Sequence, residues 1–315
     1  MGRTRRKFLK MAGACVLGST GTDLIGAQVF PFVKADPDGT HLGSNLPRLL
    51  SGCSAFSFRR QLTDGQMTLE DFIRRAVELR LDGVDMTLYY LKSTDPGYLE
   101  SLRYLAYKNA VVFLGAACRS GTVQVDPTKR EAVLSDIKKW VDVTGWLGAP
   151  QLRVMGGPAP PGVSLGHAID SVVEIMKAAT DYSAKKGIVL ALENSRGVSQ
   201  TSDACLEVMQ RVASPYAGIT LDITHFVPTP SQDAYAQIAA CIPYATNAHI
   251  MDCFDDGAPI DLERIWKIFA DAGFKGHMSL EYVPKLGTPD NSSTDIPQLI
   301  SQIRALCRKY SSAAS

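Results

Sequence analysis

The stretch Gly187-Ile-Val-Leu-Ala-Leu-Glu-Asn194 decides the fold. Its five consecutive apolar residues follow a Lys-Lys-Gly helix stop and run directly into the carboxylate of Glu193. A strand that is apolar at every position is covered on both faces, as in a parallel sheet flanked by helices. In such sheets the chemistry lies at the carboxyl ends of the strands, and Glu193 falls at that position.

Three later stretches repeat this design and also end in a residue that can bind a metal. They are Ala217-Gly-Ile-Thr-Leu-Asp222, Ala245-Thr-Asn-Ala-His249 and Gly276-His-Met-Ser-Leu-Glu281. The intervals between the terminal residues are 29, 27 and 32 (222−193, 249−222, 281−249), about one strand–helix unit each. Because the same alternation continues through the chain from residue 48 without a long interruption, we predict a (β/α)8 TIM barrel over residues 48–315.

The amino terminus has the pattern of a cleavable export signal. Thr4-Arg5-Arg6-Lys7-Phe8-Leu9-Lys10 resembles a twin-arginine motif and precedes a weakly apolar run with few charges. We assign residues 1–35 to this signal and residues 36–47 to a polar linker. The precursor is therefore expected to bind the twin-arginine export machinery, and the mature protein is expected outside the cytoplasm. Asp23 and several glycines in the run argue against a permanent membrane span. A basic tail and a lipid anchor at Cys15 are the alternatives.

Composition narrows the classes of function. The 315 residues are 45% hydrophobic and 21% charged with a net charge of +1, which is ordinary for a globular protein and gives no electrostatic footprint for nucleic acid. Of the seven cysteines, the six outside the signal show no CxxC spacing, so we interpret most of them as small buried apolar residues.

The four strand-end residues Glu193, Asp222, His249 and Glu281 form a candidate metal site. Three carboxylates and one imidazole suit Mn²⁺, our first expectation, or Mg²⁺ and Co²⁺, better than a structural zinc, which prefers thiolates. The alternative is four unrelated polar residues that are satisfied by loop backbone. Arg153, at the end of the fourth predicted strand, is either a substrate contact or one half of a structural ion pair.

From residue 49 to residue 310 the chain resembles the xylose-isomerase-like superfamily of sugar isomerases and epimerases, which also includes DNA repair endonucleases. The resemblance is carried by Leu192-Glu193-Asn194, Leu221-Asp222-Ile-Thr-His225, His249-Ile-Met-Asp252 and Leu280-Glu281-Tyr282. It implies that Glu193, Asp222, His249 and Glu281 bind one metal and that Glu193 and Glu281 are also the acid and the base. It further implies that His225 holds substrate, and we add Asn194, Asp252 and Arg153 as candidate substrate contacts.

The chain departs from its relatives at several positions. Met251 replaces a lysine that many relatives carry, and Asp255 stands where some ketose epimerases have an arginine, which puts ketose 3-epimerisation in doubt. The trinuclear zinc of the repair nucleases needs further histidines at two strand ends that here carry Tyr89 and Cys118-Arg119. A nuclease is therefore the weaker match.

The leading hypothesis is a metal-dependent isomerase or epimerase that acts on an unphosphorylated keto sugar through an enediolate, with a carboxylate on each face of the reacting carbon. The same enediolate can expel a β-substituent, so a 3-keto-glycoside lyase or dehydratase is the alternative. A non-catalytic sugar-binding barrel is a third reading. The oligomeric state stays open, and a homo-oligomer is compatible with the sequence.

Overall fold

A computed structural model describes residues 46–284 and 291–312. Eight parallel strands close into a barrel in sequence order, which confirms the predicted (β/α)8 TIM barrel. The strands are β1 (Arg48–Ser54), β2 (Gly83–Thr87), β3 (Val112–Gly121), β4 (Gln151–Gly157), β5 (Val189–Gly197), β6 (Ala217–Asp222), β7 (Ala245–Ile250) and β8 (Lys275–Leu280). The predicted signal (residues 1–35) and all but the last two residues of the predicted linker lie outside the described part of the chain.

Helices surround the barrel and connect successive strands. They are α1 (Arg59–Thr63), α2 (Leu69–Glu78), α3 (Pro96–Lys108), α4 (Pro127–Leu147), α5 (Leu165–Ala184), α6 (Ser202–Val212), α7 (Ala234–Cys241), α8 (Leu262–Asp271) and α9 (Ser292–Ser312). Short 3₁₀ turns occupy Ala55–Phe58, Leu88–Tyr90 and Ile242–Tyr244. None of the helices in residues 46–284 and 291–312 combines the length and the apolar character that crossing a bilayer requires.

Local sequence rules account for the helix ends. Thr68 and Asp71 form the capping box that starts α2. At α4, Asp126 caps the first turn, Pro127 opens the helix, and Gly148 ends it in a left-handed conformation with φ of 81°. These residues therefore fix both ends of α4.

Strand β5 is longer than predicted. The stretch quoted above ends at Asn194, but β5 continues to Gly197. The extra residues Ser195–Gly197 have no apolar pattern, and they are extended because irregular pairing with β4 continues there. Gly197 has a φ of 106°, and a Cβ at this position would collide with the carbonyl oxygen of Gly157.

The core lies between the barrel and its helices and inside the barrel. Trp266, Phe72 and Phe269 are its largest fully buried side chains. The six cysteines of the described residues are all buried and none forms a disulfide, which confirms their interpretation as small buried residues (Cys53, Cys118, Cys205, Cys241, Cys253 and Cys307). Burial, together with the charges of Asp85 and Glu281, raises the pKa of the Cys53 thiol to about 12.

Candidate metal centre

Four strand ends bring the predicted ligands together. Glu193 lies in β5, Asp222 ends β6, His249 lies in β7 directly opposite Asp222, and Glu281 follows β8. One ligand atom from each of the four lies within 4.8 Å of the others. Within residues 46–284 and 291–312 no other group of three or more such side chains is close enough to share an ion.

Asn194 holds Asp222 in place. Its Nδ2 donates to the backbone oxygen of Asp222, and its Oδ1 accepts from the backbone nitrogen of Asp222, both at 2.7 Å. The side chain is fully buried and both of its amide atoms bond to the backbone of Asp222, while its contact with substrate stays a prediction. Thr224 donates its backbone N–H and its hydroxyl to Oδ1 of Asp222, which leaves Oδ2 for the site.

A buried carboxylate orients His249 from the side of its ring that faces away from the other ligands. Its Nε2 lies 3.4 Å from Oδ2 of Asp85, and Asn247 donates its side-chain N–H to the same oxygen. Its Nδ1 faces the other way, 3.3 Å from Oε2 of Glu281 and 3.5 Å from Oε1 of Glu193. A proton held on Nε2 by Asp85 leaves the Nδ1 lone pair aimed at the other ligands.

Asp85 and Asn247 were not predicted as site residues. Asp85 is an acid in an otherwise apolar strand, Gly83-Val-Asp-Met-Thr87, and the strand-end rule used for Glu193 could have found it. Asn247 lies in β7, two residues before His249, and no pattern distinguishes it.

The polar atoms that face the centre fit a bound cation. Oε1 of Glu193, Nδ1 of His249 and Oε2 of Glu281 are all buried, and none has a hydrogen-bond partner. Buried polar atoms without partners each cost about 1–3 kcal/mol, so three that converge on one point need a common partner. Carboxylate oxygens with one imidazole are the ligands of a hard to borderline divalent ion.

A buried ion pair sets the charge of Glu193. Arg153 donates to Oε2 of Glu193 at 2.6 Å, and both side chains are less than a tenth exposed. Burial opposes the charge of Glu193, but Arg153 and His249 outweigh it and lower the pKa of Glu193 to about 2. Of the two readings left open for Arg153, the structure shows an ion pair, and it places that pair in the site itself.

Glu281 differs from Glu193. Burial raises the pKa of Glu281, and the negative charges of Glu193 and Asp222 add to this effect. Burial lowers the pKa of His249, but the surrounding carboxylates, led by Glu281, outweigh it and raise that pKa well above the ordinary value. The site therefore pairs one ionised glutamate with one that retains its proton more readily.

His225 forms the rim of the site together with Asp255. Nε2 of His225 lies 3.5 Å from Oδ2 of Asp222, and its Nδ1 lies 3.0 Å from Oδ2 of Asp255. Arg196 pairs with the same Asp255 oxygen at 3.2 Å. Burial opposes the charge of His225, yet the two aspartates raise its pKa to about 9.

A cavity of about 610 Å³ opens above the centre. Asp222, His225 and Glu281 contribute polar lining, and Phe56, Met251, Cys253, Phe254, Val283 and Pro284 contribute apolar lining. Asp252, a predicted substrate contact, is half-buried and does not line this cavity, whereas its neighbours on both sides do.

Only some of the aromatic residues near the mouth face open space. Phe58 is buried against Phe72 and belongs to the core. Tyr282 is also buried, and its hydroxyl donates to Asp295. Tyr89 reaches toward the site: burial raises its pKa to about 12, against the opposing charge of Arg153.

The sequence of residues 69–306 matches the family model described as xylose isomerase-like TIM barrel. This match covers more than half of the chain, and the chain therefore belongs to that family. No curated protein matches the chain by sequence.

Solved structures share the fold at low sequence identity. A D-psicose 3-epimerase with D-tagatose from Clostridium cellulolyticum H10 is 13% identical with a TM-score of 0.67, over 83% of this chain and 98% of that one. A 3-keto-D-glucoside 4-epimerase from E. coli is 14% identical with a TM-score of 0.65, over 82% and 99%. The IOLI protein with a bound zinc atom is 14% identical with a TM-score of 0.66, over 84% and 98%. At these identities the likeness shows the fold.

Proposed function

We propose that this chain is a divalent-metal-dependent sugar isomerase or epimerase that acts on an unphosphorylated keto sugar. The observation that carries the proposal is the convergence of three buried, unpartnered atoms, on Glu193, His249 and Glu281, beside Oδ2 of Asp222. The fold relatives described as sugar epimerases support the reaction class.

The metal would be held by Glu193, Asp222, His249 and Glu281, with Mn²⁺ as the proposed ion and Mg²⁺ or Co²⁺ as alternatives. When bound, a divalent cation supplies Lewis-acid stabilisation of negative charge on the carbonyl and neighbouring hydroxyl oxygens of the sugar. Asp222 and His249 have no other role in the proposal. Asn194 and Asp85 keep these two ligands in position.

Glu193 and Glu281 are proposed to move the proton at the reacting carbon. Arg153 keeps Glu193 ionised, and a carboxylate oxygen of Glu281 lies within 4.8 Å of one of Glu193, so two carboxylates are available at the reacting carbon. One carboxylate removes the carbon-bound proton to give the enediolate, and the other returns a proton on the far face in an epimerisation. His225 lies at the rim and is proposed to donate to a substrate hydroxyl.

Hydrogen exchange tests this proposal. Mn²⁺-loaded protein incubated with a panel of ketoses in D₂O is expected to place deuterium at a carbon next to the carbonyl, as measured by NMR. The Glu193→Gln and Glu281→Gln variants should lose the exchange while they keep the fold. Intact metal binding with no exchange in any sugar would contradict the proposal, and products that lack a β-substituent would favour a lyase.

The export prediction is also part of the proposal, and it is supported by the sequence alone. The substrate is proposed to be unphosphorylated because the mature chain would act outside the cytoplasm. Replacing Arg5 and Arg6 by lysine in the precursor should retain the protein in the cytoplasm, as measured by cell fractionation. Unchanged fractionation would contradict twin-arginine export.

A further inference from the structure

A second cavity lies beside the one above the metal centre. Its volume is about 550 Å³, and none of the four ligand residues lines it. Aromatic rings form much of its wall (Phe226, Tyr235 and Phe254), and Val227, Pro228, Ala234 and Ala258 supply further carbon. A cavity of this size and character is typical of a site for a small organic group.

The aromatic wall is held in place by contacts on several sides. The hydroxyl of Tyr235 accepts from the backbone nitrogen of Asp261 at 2.9 Å, and its ring packs edge-on against Phe254 with centroids 5.7 Å apart. The guanidinium of Arg264 lies over the Tyr235 ring, 3.8 Å from its centroid. Because these contacts already hold the aromatic side chains in place without a ligand, binding should lose little side-chain conformational entropy.

Phe254 is fixed by a tight hairpin. Its backbone nitrogen donates to the oxygen of Ala258 at 2.8 Å, and Cys253 forms an isolated bridge with Pro259. The hairpin presents Phe254 to both cavities.

Most of the polar groups of the second cavity are already paired. His225 and Arg196 bind Asp255, and Thr224 bonds to Asp222. Asp233 caps α7 through Oδ1 and pairs with Arg264 through Oδ2, and Asp256 accepts from the backbone nitrogen of Ala258. A second sugar ring would bury several hydroxyls against carbon and against groups that are already engaged, and each hydroxyl without a partner would weaken binding. The lining therefore favours an apolar occupant.

The two cavities are adjacent. Six residues line both of them (Arg196, Thr224, His225, Phe254, Asp255 and Asp256). A molecule whose polar end lies at Glu281 can thus extend an attached group into the second cavity. A free monosaccharide at the metal centre would leave that apolar cavity unused.

We infer that the substrate is a keto-glycoside whose aromatic aglycone occupies the second cavity. The inference rests on the proposed function, because it takes the sugar ring to lie at the metal centre. A glycoside has no free anomeric carbonyl, so the ring carbonyl must come from a preceding oxidation of a ring hydroxyl. The protein then acts after a sugar-oxidising reaction.

Binding of two simple glucosides tests this inference. By isothermal titration calorimetry on Mn²⁺-loaded protein, phenyl β-D-glucopyranoside should bind at least about tenfold more tightly than methyl β-D-glucopyranoside, because only the phenyl ring fills the apolar cavity. Ala258→Phe places a ring in the cavity from an exposed hairpin position and should remove this preference. Ala132→Phe, at an exposed position of α4, is the matched control and should keep it.

Equal binding of the two glucosides, no binding of either, or a preference that survives in Ala258→Phe would overturn the inference. Its failure is distinguishable from failure of the proposed function, which is measured by deuterium exchange into keto sugars without an aromatic group, namely free ketoses and the ring-oxidised (3-keto) form of the methyl glucoside. Deuterium exchange without tighter binding of the phenyl glucoside would contradict only the aglycone pocket. If the phenyl glucoside binds more tightly and Ala258→Phe removes this difference, but no sugar exchanges deuterium, the pocket is supported and the proposed reaction is contradicted.

Discussion

Replacing Arg153 by methionine should destabilise the metal-free protein far more than an ordinary ion-pair deletion. The substitution keeps an apolar stem of similar length but leaves Glu193, which is only 3% exposed, without its guanidinium partner, and His249 at 3.5 Å compensates the charge only in part. Removing one partner of a buried pair is costly because the other charge stays buried and uncompensated, typically by about 3–5 kcal/mol.

The structure gives a second route to the magnitude. The pKa of Glu193 falls from its ordinary value of 4.5 to about 2 in the folded protein. At about 1.4 kcal/mol per pH unit this lowering corresponds to roughly 3 kcal/mol of stability, supplied by Arg153 and the neighbouring histidines together after the opposing effect of burial. Because the folded-state pKa is lowered, the contribution is fully present above about pH 4.5 and disappears as the pH falls toward 2. Arg153 is the first of the cations that lower this pKa, so most of the contribution should be lost with it.

The assay is urea unfolding of EDTA-treated protein at pH 7, followed by circular dichroism. Arg153→Met should lower the free energy of unfolding by about 3 kcal/mol, whereas Arg196→Met is the control. Arg196 also pairs with an aspartate, Asp255, but its side chain is 76% exposed, so its loss should cost less than about 1 kcal/mol.

A double variant makes the test decisive. Adding Glu193→Gln to Arg153→Met removes the uncompensated charge and should restore part of the lost stability. The reasoning would be refuted if Arg153→Met lowered the free energy of unfolding no more than Arg196→Met does. It would also be refuted if the double variant were less stable than Arg153→Met alone.

Three further predictions concern the metal and the thiols. Asp85→Asn should weaken Mn²⁺ binding about 10–100-fold in calorimetry with little change in Tm, because Asp85 orients the His249 ring. His249→Ala should abolish Mn²⁺ binding. Unchanged Mn²⁺ affinity in Asp85→Asn would contradict this role of Asp85. Mn²⁺ affinity should fall as the pH is lowered below 7, because the raised pKa of His249 means that the ion must displace a proton. Calorimetry in two buffers of different ionisation enthalpy should count about one proton released per ion, and a count of zero would contradict it. The five buried cysteines that line neither cavity (Cys53, Cys118, Cys205, Cys241 and Cys307) should react with a thiol reagent only after unfolding, and their rapid reaction in the folded chain would show that the core is open.

Much of the fold could be predicted from the sequence because strands covered on both faces carry a strong signal. The unbroken apolar run before Glu193 and the regular spacing of Asp222, His249 and Glu281 were enough to predict a closed barrel and the convergence of these residues. The bounds of β6 also agree with the quoted stretch Ala217–Asp222.

The supporting contacts could not be predicted in the same way. Asn247 contacts Asp85 across 162 positions of sequence, and neither the distance nor the pairing leaves a local pattern. Asn194 stands directly after a ligand residue, which suggested a substrate contact, but the pleat of β5 turns its amide toward the backbone of Asp222. The second cavity likewise depends on a hairpin whose shape is set by backbone bonds at Phe254.

The central claim is that one divalent cation is shared by Glu193, Asp222, His249 and Glu281. Anomalous diffraction at the manganese edge, from crystals soaked in MnCl₂, tests it most directly. We predict one strong peak at about 2.0–2.2 Å from Oε1 of Glu193, Oδ2 of Asp222, Nδ1 of His249 and Oε2 of Glu281. No peak at that point, or a peak bound by other residues only, would contradict the claim.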